Sequence, residues 1–142
     1  MSKISRHSTN AMHFRNTYSQ PVEMDFFDKN GNPYEDLIDL QARLIKEEVK
    51  EFLESVEDLY IDPSTDSKTA LLKELADIVF VCYQFAAAFN LDLDEAAQRV
   101  YTSNMSKLGF NGKPIYREDG KVLKGPNYTE PNLFNLVQDT LK

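Results

Sequence analysis

Two helical stripes in this chain begin as core and end in carboxylates. Counting back from Glu51 at helical intervals gives Glu48, Leu44, Gln41 and Leu37; counting forward from Glu74 gives Asp77, Val81, Gln84 and Ala88. Residues three or four apart share a helix face, so Glu48 and Glu51 project together, as do Glu74 and Asp77. Leu75, Ile78, Cys82 and Phe85 flank the second stripe, and Asp77 opens an almost wholly apolar run from Ile78 to Phe89. Acids that face solvent have no reason to continue a core stripe. Two such helices packed side by side point four carboxylates into one gap.

Carboxylates about 4 Å apart repel by roughly 4 kcal/mol at an effective dielectric of 20, so several converging on a partly buried gap need a cation or protons. An all-oxygen set favours magnesium or manganese over zinc. The plainer reading is a set of solvated helix charges with Lys46, Lys50 and Lys73 as local partners, each i,i+4 pair adding about 0.2 to 0.5 kcal/mol. That reading serves the first cluster alone better than it serves both.

The rest of the pattern is helical too. Asn32-Pro33-Tyr34-Glu35 reads as an N-cap, a proline at the first helical position and a glutamate completing a capping box, after a turn at Asp28-Lys29-Asn30-Gly31. Apolar positions from Leu37 to Val56 carry that helix to about Tyr60. Asp62-Pro63-Ser64-Thr65-Asp66 breaks it, and a second helix is expected from about Ser67 to Phe89. A third begins at the box Asp92-Leu93-Asp94-Glu95, with an inner stripe Leu93, Ala97, Val100, Asn104 and Lys107, and Gly109 stands as its C-terminal glycine. Ile115-Tyr116-Arg117 and Lys121-Val122-Leu123 then flank Glu118-Asp119-Gly120 as a small hairpin, and a short amphipathic segment lies near Leu133, Leu136 and Val137. Residues 1–20 are polar and fit a short helix or a loose arm equally.

The expected fold is therefore all-α: one domain over residues 1–142, with an arm at 1–30, a core of three main helices at 33–108, and a hairpin and tail at 109–142. The apolar arc of the second helix is too wide for one partner helix to cover. Dimerisation, as a homodimer or a dimer of dimers, would complete the bundle.

A net charge of -7 and a pI near 4.8 argue against a nucleic-acid polymer as partner, since phosphate contacts call for a basic face. They do not oppose a small phosphorylated substrate bound through metal. The longest uncharged apolar run, Ile78 to Leu91, is too short to span a bilayer. Cys82 is the only cysteine and has no internal disulfide partner. With no apolar signal core in the first twenty residues, a cytoplasmic setting is expected. His7 and His13 lie in the polar arm and receive no role.

The two clusters, Leu44-Ile45-Lys46-Glu47-Glu48-Val49-Lys50-Glu51 and Lys73-Glu74-Leu75-Ala76-Asp77-Ile78-Val79, have 22 residues between Glu51 and Glu74. Their form, E-E-x-x-E, a spacer and E-x-x-D, resembles the all-α nucleoside triphosphate pyrophosphohydrolases of the MazG-like superfamily. That superfamily also holds dimeric dUTPases, dCTP pyrophosphatases and phosphoribosyl-ATP pyrophosphohydrolase. The resemblance extends to Asn104-Met105-Ser106-Lys107 and to Asp119-Gly120-Lys121-Val122-Leu123-Lys124-Gly125-Pro126, about residues 35–128. It implies cleavage of a (deoxy)nucleoside triphosphate to monophosphate and pyrophosphate, with Mg2+, or Mn2+ in its place, held by Glu48, Glu51, Glu74 and Asp77. Glu47 stands about 100 degrees around the helix from Glu48, and the family pattern suggests that it orders or deprotonates the water; a salt bridge to Lys46 or Lys50 is the alternative. Asn104 and Lys107 match the family's N-x-x-K and are expected to meet substrate. Lys121 and Lys124, in a basic stretch with Lys113 and Arg117, would either hold phosphate or stay solvated. Phosphoribosyl-ATP as substrate, or a non-catalytic metal-binding dimerisation module, are the other readings.

Overall fold

In the computed structural model, residues 3–137 are described. Five helices account for the regular structure: α1 (Arg6–Thr17), α2 (Glu35–Ile61), α3 (Thr65–Ala88), α4 (Leu93–Met105) and the short α5 (Phe134–Val137). The all-α expectation holds, and no strand forms among the described residues. Residues 4–91 form one compact unit, and the described residues from Asp92 onward, together with Lys3, form another.

In the first unit α2 and α3 pack along their length, joined only by Asp62–Ser64. So short a link turns the chain back on itself. Ser64 caps α3, its hydroxyl accepting from the Ser67 amide at 3.2 Å, so the helix starts slightly earlier than the Ser67 expected from sequence. Val81, Gln84 and Ala88 are buried on α3 and Gln41 on α2, as the stripes require.

The N-terminal residues form a helix, not a loose arm. Ser5 caps α1, which packs on α3 with Ala11 buried and the Phe14 ring edge-on to Phe80 at 5.2 Å. His7 lies 5.3 Å from the Tyr83 ring. The chain then crosses the end of α3, where the Glu23 and Met24 amides donate to the Ala87 and Ala88 carbonyls. Those are carbonyls a helix end leaves without intrahelical donors. Phe26 stacks on Phe89 at 4.4 Å, which closes this end of the core.

The start of α2 differs from expectation. Tyr34, not Asn32, is the N-cap residue, and no side chain caps the helix. Asp28 explains this: its carboxylate accepts from the amides of Asn30 and Asn32, and its own amide donates to the Asn32 carbonyl. Asn32 is thereby held in the turn, Pro33 bridges to Phe27, and the box cannot form.

In the second unit Asp92 does cap α4, accepting from the Glu95 amide, but the Glu95 carboxylate pairs with Arg99 instead of reaching back. The stripe expected to face inward is exposed at Ala97, Val100 and Asn104 in the single chain. Ser103 is the buried residue, donating to the Thr129 carbonyl at 2.7 Å. Gly109 does not end the helix: α4 closes at Ser106, and Gly109 pairs instead with the Lys113 carbonyl at 2.7 Å. The Asp119-Gly120 turn forms, with Gly120 at φ +89, yet its arms pair through one bridge only, Tyr116 with Val122, rather than as two strands.

Candidate active site

Because α2 and α3 lie side by side, their acid clusters meet. Glu48, Glu74 and Asp77 each bring one carboxylate oxygen within 4.8 Å of the others. All three are half-buried, and Oε2 of Glu48 and Oε2 of Glu74 are buried without a hydrogen-bond partner. A buried acceptor left unpaired costs about 1–3 kcal/mol, and more when charged. Burial pushes the Glu48 carboxyl above its usual range, and the neighbouring Glu51, Asp77 and Glu74 push it the same way. Hard carboxylate oxygens, two of them buried without a partner, suit a divalent cation such as Mg2+ or Mn2+, so these residues fit the metal expected from the sequence.

Not every expected ligand stands equally. Glu51 is exposed and lies outside the three-oxygen cluster, although its carboxylate is close enough to Glu48 to act on it by hydrogen bond and charge. Lys73 is already at the site, its Nζ 2.7 Å from Asp77 and 3.6 Å from Glu74. The local-partner reading was thus right for Lys73. Lys50 turns away, to Glu54 at 4.0 Å.

A family model for phosphoribosyl-ATP pyrophosphohydrolase matches residues 27–104, more than half of the chain and all of both acid clusters. The chain belongs to that family. It is accordingly a nucleotide pyrophosphohydrolase, and the MazG-like resemblance drawn from the two clusters holds. Among curated proteins, none matches the chain. No helix among the described residues is long and apolar enough to cross a membrane.

The remaining expected site residues of this pyrophosphohydrolase fall in two groups. Glu47 is exposed on α2, outside the three-oxygen cluster. Asn104, Lys107, Lys121 and Lys124 all belong to the second unit, where the Gly125 amide donates to the Lys107 carbonyl at 3.0 Å and brings Lys124 beside Lys107 in the backbone. Lys124 Nζ lies 4.7 Å over the Tyr128 ring. Arg117 is engaged by Asp119. The family match ends at Asn104 and so does not reach the three lysines.

Sequence reading passed over one group. Arg15 of α1 is 1% exposed, yet no carboxylate pairs with it. Its Nε donates to the Pro21 carbonyl at 2.7 Å, and its Nη1 donates to the side-chain oxygens of Gln41 at 3.4 Å and Gln84 at 3.2 Å. Burial lowers its pKa from the usual value. Phe14, Arg15, Gln41, Leu44, Phe80 and Gln84 line a cavity of about 260 Å³ between α1, α2 and α3. The available signal was a glutamine at a core position in each of two apolar stripes. Phe85 packs with Phe26 and Phe89 and Tyr83 with His7, whereas Phe80 borders this cavity.

Proposed function

We propose that this chain hydrolyses a (deoxy)nucleoside triphosphate between the α and β phosphates, releasing the monophosphate and pyrophosphate, in the control of nucleotide pools. The observation that carries this is the pair of buried, unpartnered oxygens of Glu48 and Glu74 beside Asp77, in a chain of pyrophosphohydrolase family. Glu48, Glu74 and Asp77 would hold Mg2+ or Mn2+, with Glu51 supporting Glu48 from the next turn. Bound there, the ion supplies positive charge to neutralise the polyphosphate and the leaving pyrophosphate.

The protein's own part is positioning and proton handling. Water attacks the α phosphorus, the bond to the bridging α–β oxygen breaks, and pyrophosphate leaves with that oxygen. Glu47, exposed and separate from the ligand cluster, accepts the proton of the attacking water. Asn104 meets the sugar or base, and Lys107, Lys121 and Lys124 meet phosphate oxygens as point charges. Lys73 offsets acid repulsion when no cation is bound.

Self-association belongs to the same reading. Leu53, Leu72 and Leu75 are 56%, 67% and 47% exposed on α2 and α3, more apolar surface than a lone chain leaves bare on two core helices. A second copy of the chain would cover it, and sedimentation at micromolar concentration as a monomer would exclude this.

The description of the matching family favours a second substrate, phosphoribosyl-ATP. The test is product analysis with magnesium on a panel of ribo- and deoxyribonucleoside triphosphates and phosphoribosyl-ATP. Pyrophosphate and monophosphate from one or more triphosphates is the expected result. Turnover of phosphoribosyl-ATP alone would replace the proposed substrate class, and silence on every compound would sink the enzymatic reading.

A further inference from the structure

Among the residues that line the cavity beside Arg15 is one with a hydrogen-bond donor that has no acceptor. A guanidinium has donors and no acceptor, so the two glutamines facing it must offer their oxygens and turn their amide NH2 groups elsewhere. Gln84 is 4% exposed, and its Nε2 donor is buried with no partner at all. Burying a donor without an acceptor is costly and uncommon, and it marks a group kept for a ligand. The polar lining residues therefore include the cation of Arg15 and Gln84, whose NH2 group has no partner, while Phe14, Leu44 and Phe80 supply apolar walls.

Position connects this cavity to the acids. Leu44 precedes Glu48 by one turn on α2, and Val81, which also lines the cavity, follows Asp77 by one turn on α3. One turn is about 5.4 Å along the axis, so on both helices the cavity wall ends within a turn of the carboxylates. A flat ring in the cavity would direct its 5′ phosphates along the same groove toward Glu48, Glu74 and Asp77. At about 260 Å³ the space is below the usual range for whole small-molecule ligands, roughly 300–1,000 Å³, and suits one ring system.

We propose that this cavity is a nucleobase subsite that selects a pyrimidine carrying ring carbonyls, uracil or thymine, with Gln84 donating to a carbonyl oxygen and Arg15 fixing the orientation of both glutamine amides. The inference rests on the hydrolytic reading above for the direction of the phosphates. Uracil and thymine present a carbonyl acceptor where adenine presents an amino donor. Adenine's amino group in that place would set donor against donor in a buried site, and its second ring needs more room. Gln84 is thus a specificity residue that contacts the base, and Arg15 is a positioning residue that acts through it.

The experiment titrates dUMP and dAMP into the full chain with magnesium by calorimetry, beside pyrophosphate release from dUTP and dATP. It is run on the native protein, on Gln84→Met, and on Gln84→Glu, whose carboxylate can pair with Arg15 and keep the unit folded while removing the donor. Native protein should bind dUMP at least about tenfold more tightly than dAMP, and both variants should bring the ratio below about threefold. Equal binding of the two nucleotides by native protein, binding of neither, or an unchanged ratio in both variants would overturn the subsite. Selective binding without pyrophosphate release would leave the subsite standing and remove the hydrolytic reading. Release from dUTP and dATP alike, with equal binding, would do the reverse.

Discussion

Lys73 Nζ stands 2.7 Å from an Asp77 carboxylate oxygen, on the same helix four residues away, while the buried oxygens of Glu48 and Glu74 a few ångströms off have no donor. The lysine therefore sits closest to Asp77, which is more accessible than Glu74, and leaves one buried oxygen on each of Glu48 and Glu74 without a donor. The pairing strengthens the lysine's hold on its proton: its pKa is raised through the hydrogen bond and the charge of Asp77.

Lys73 and a divalent cation compete for Asp77. Lys73 is 65% exposed, so solvent screens its pair with Asp77 and the competition it offers is weak. Lys73→Met should accordingly bind Mn2+ about two- to fivefold more tightly in a calorimetric titration at low ionic strength, and the gain should shrink in added salt. Weaker binding by the variant would mean that Lys73 supports the ion instead of competing with it.

The acid cluster also sets a direction for stability against pH in metal-free protein. Burial and the neighbouring acids hold the Glu48 carboxyl above its usual range, so the folded chain takes up that proton more readily than the unfolded one. Its contribution is fully present below the ordinary carboxylate value and is lost as pH rises through the raised folded value. Asp28 and Asp119 act oppositely at lower pH. Backbone amides of Asn32 and Asn30 lower the first and Arg117 lowers the second, so their contributions exist above the ordinary aspartate value and vanish as pH falls through the lowered ones. Thermal melts in chelator should rise as pH falls from neutral toward the ordinary glutamate value, and fall again below the ordinary aspartate value. Glu48→Gln should melt higher than native at pH 7 and flatten the upper limb; melts indistinguishable from native would contradict the account.

Why some of this was legible beforehand and some was not follows from the range of the interactions. The stripes through Glu48 and Asp77 depend on helical spacing alone, which any sequence displays, and they led to α2, α3 and the acid cluster. The false cap at Asn32 arose from a competitor inside the same loop: Asp28 takes the amides that the box would have needed, and spacing does not rank two local uses of one residue. Gly109 failed similarly, drawn to the Lys113 carbonyl rather than to a helix end. Arg15 was harder still, because its partner Gln84 is 69 residues away and a lone cation in a polar segment has no period. Only the two glutamines interrupting core stripes hinted that a polar group would arrive from elsewhere.

Gly125 offers a check on the second unit. A Cβ there would run into the carbonyl oxygen of Leu108, a backbone atom unable to move aside, whereas a Cβ on Gly120 would meet nothing. Gly120→Ala should cost only the left-handed backbone penalty, about 1–2 kcal/mol. Gly125→Ala should cost more, and should break the bond from its amide to the Lys107 carbonyl. Hydrogen exchange would register this as lost protection at the Gly125 amide; unchanged protection there would mean that the loop accommodates the methyl group.

The central claim is that the Glu48, Glu74 and Asp77 cluster makes this pyrophosphohydrolase work on nucleoside triphosphates through a divalent ion. Pyrophosphate release from the triphosphate panel, with magnesium and with chelator, for native protein and a Glu48→Ala, Asp77→Ala double variant, tests it most directly. Native protein should release pyrophosphate with magnesium and none above background in chelator, and the variant should lose at least about a hundredfold with its helical circular dichroism retained. Release that persists in chelator, or a folded double variant as active as the native chain, would contradict it.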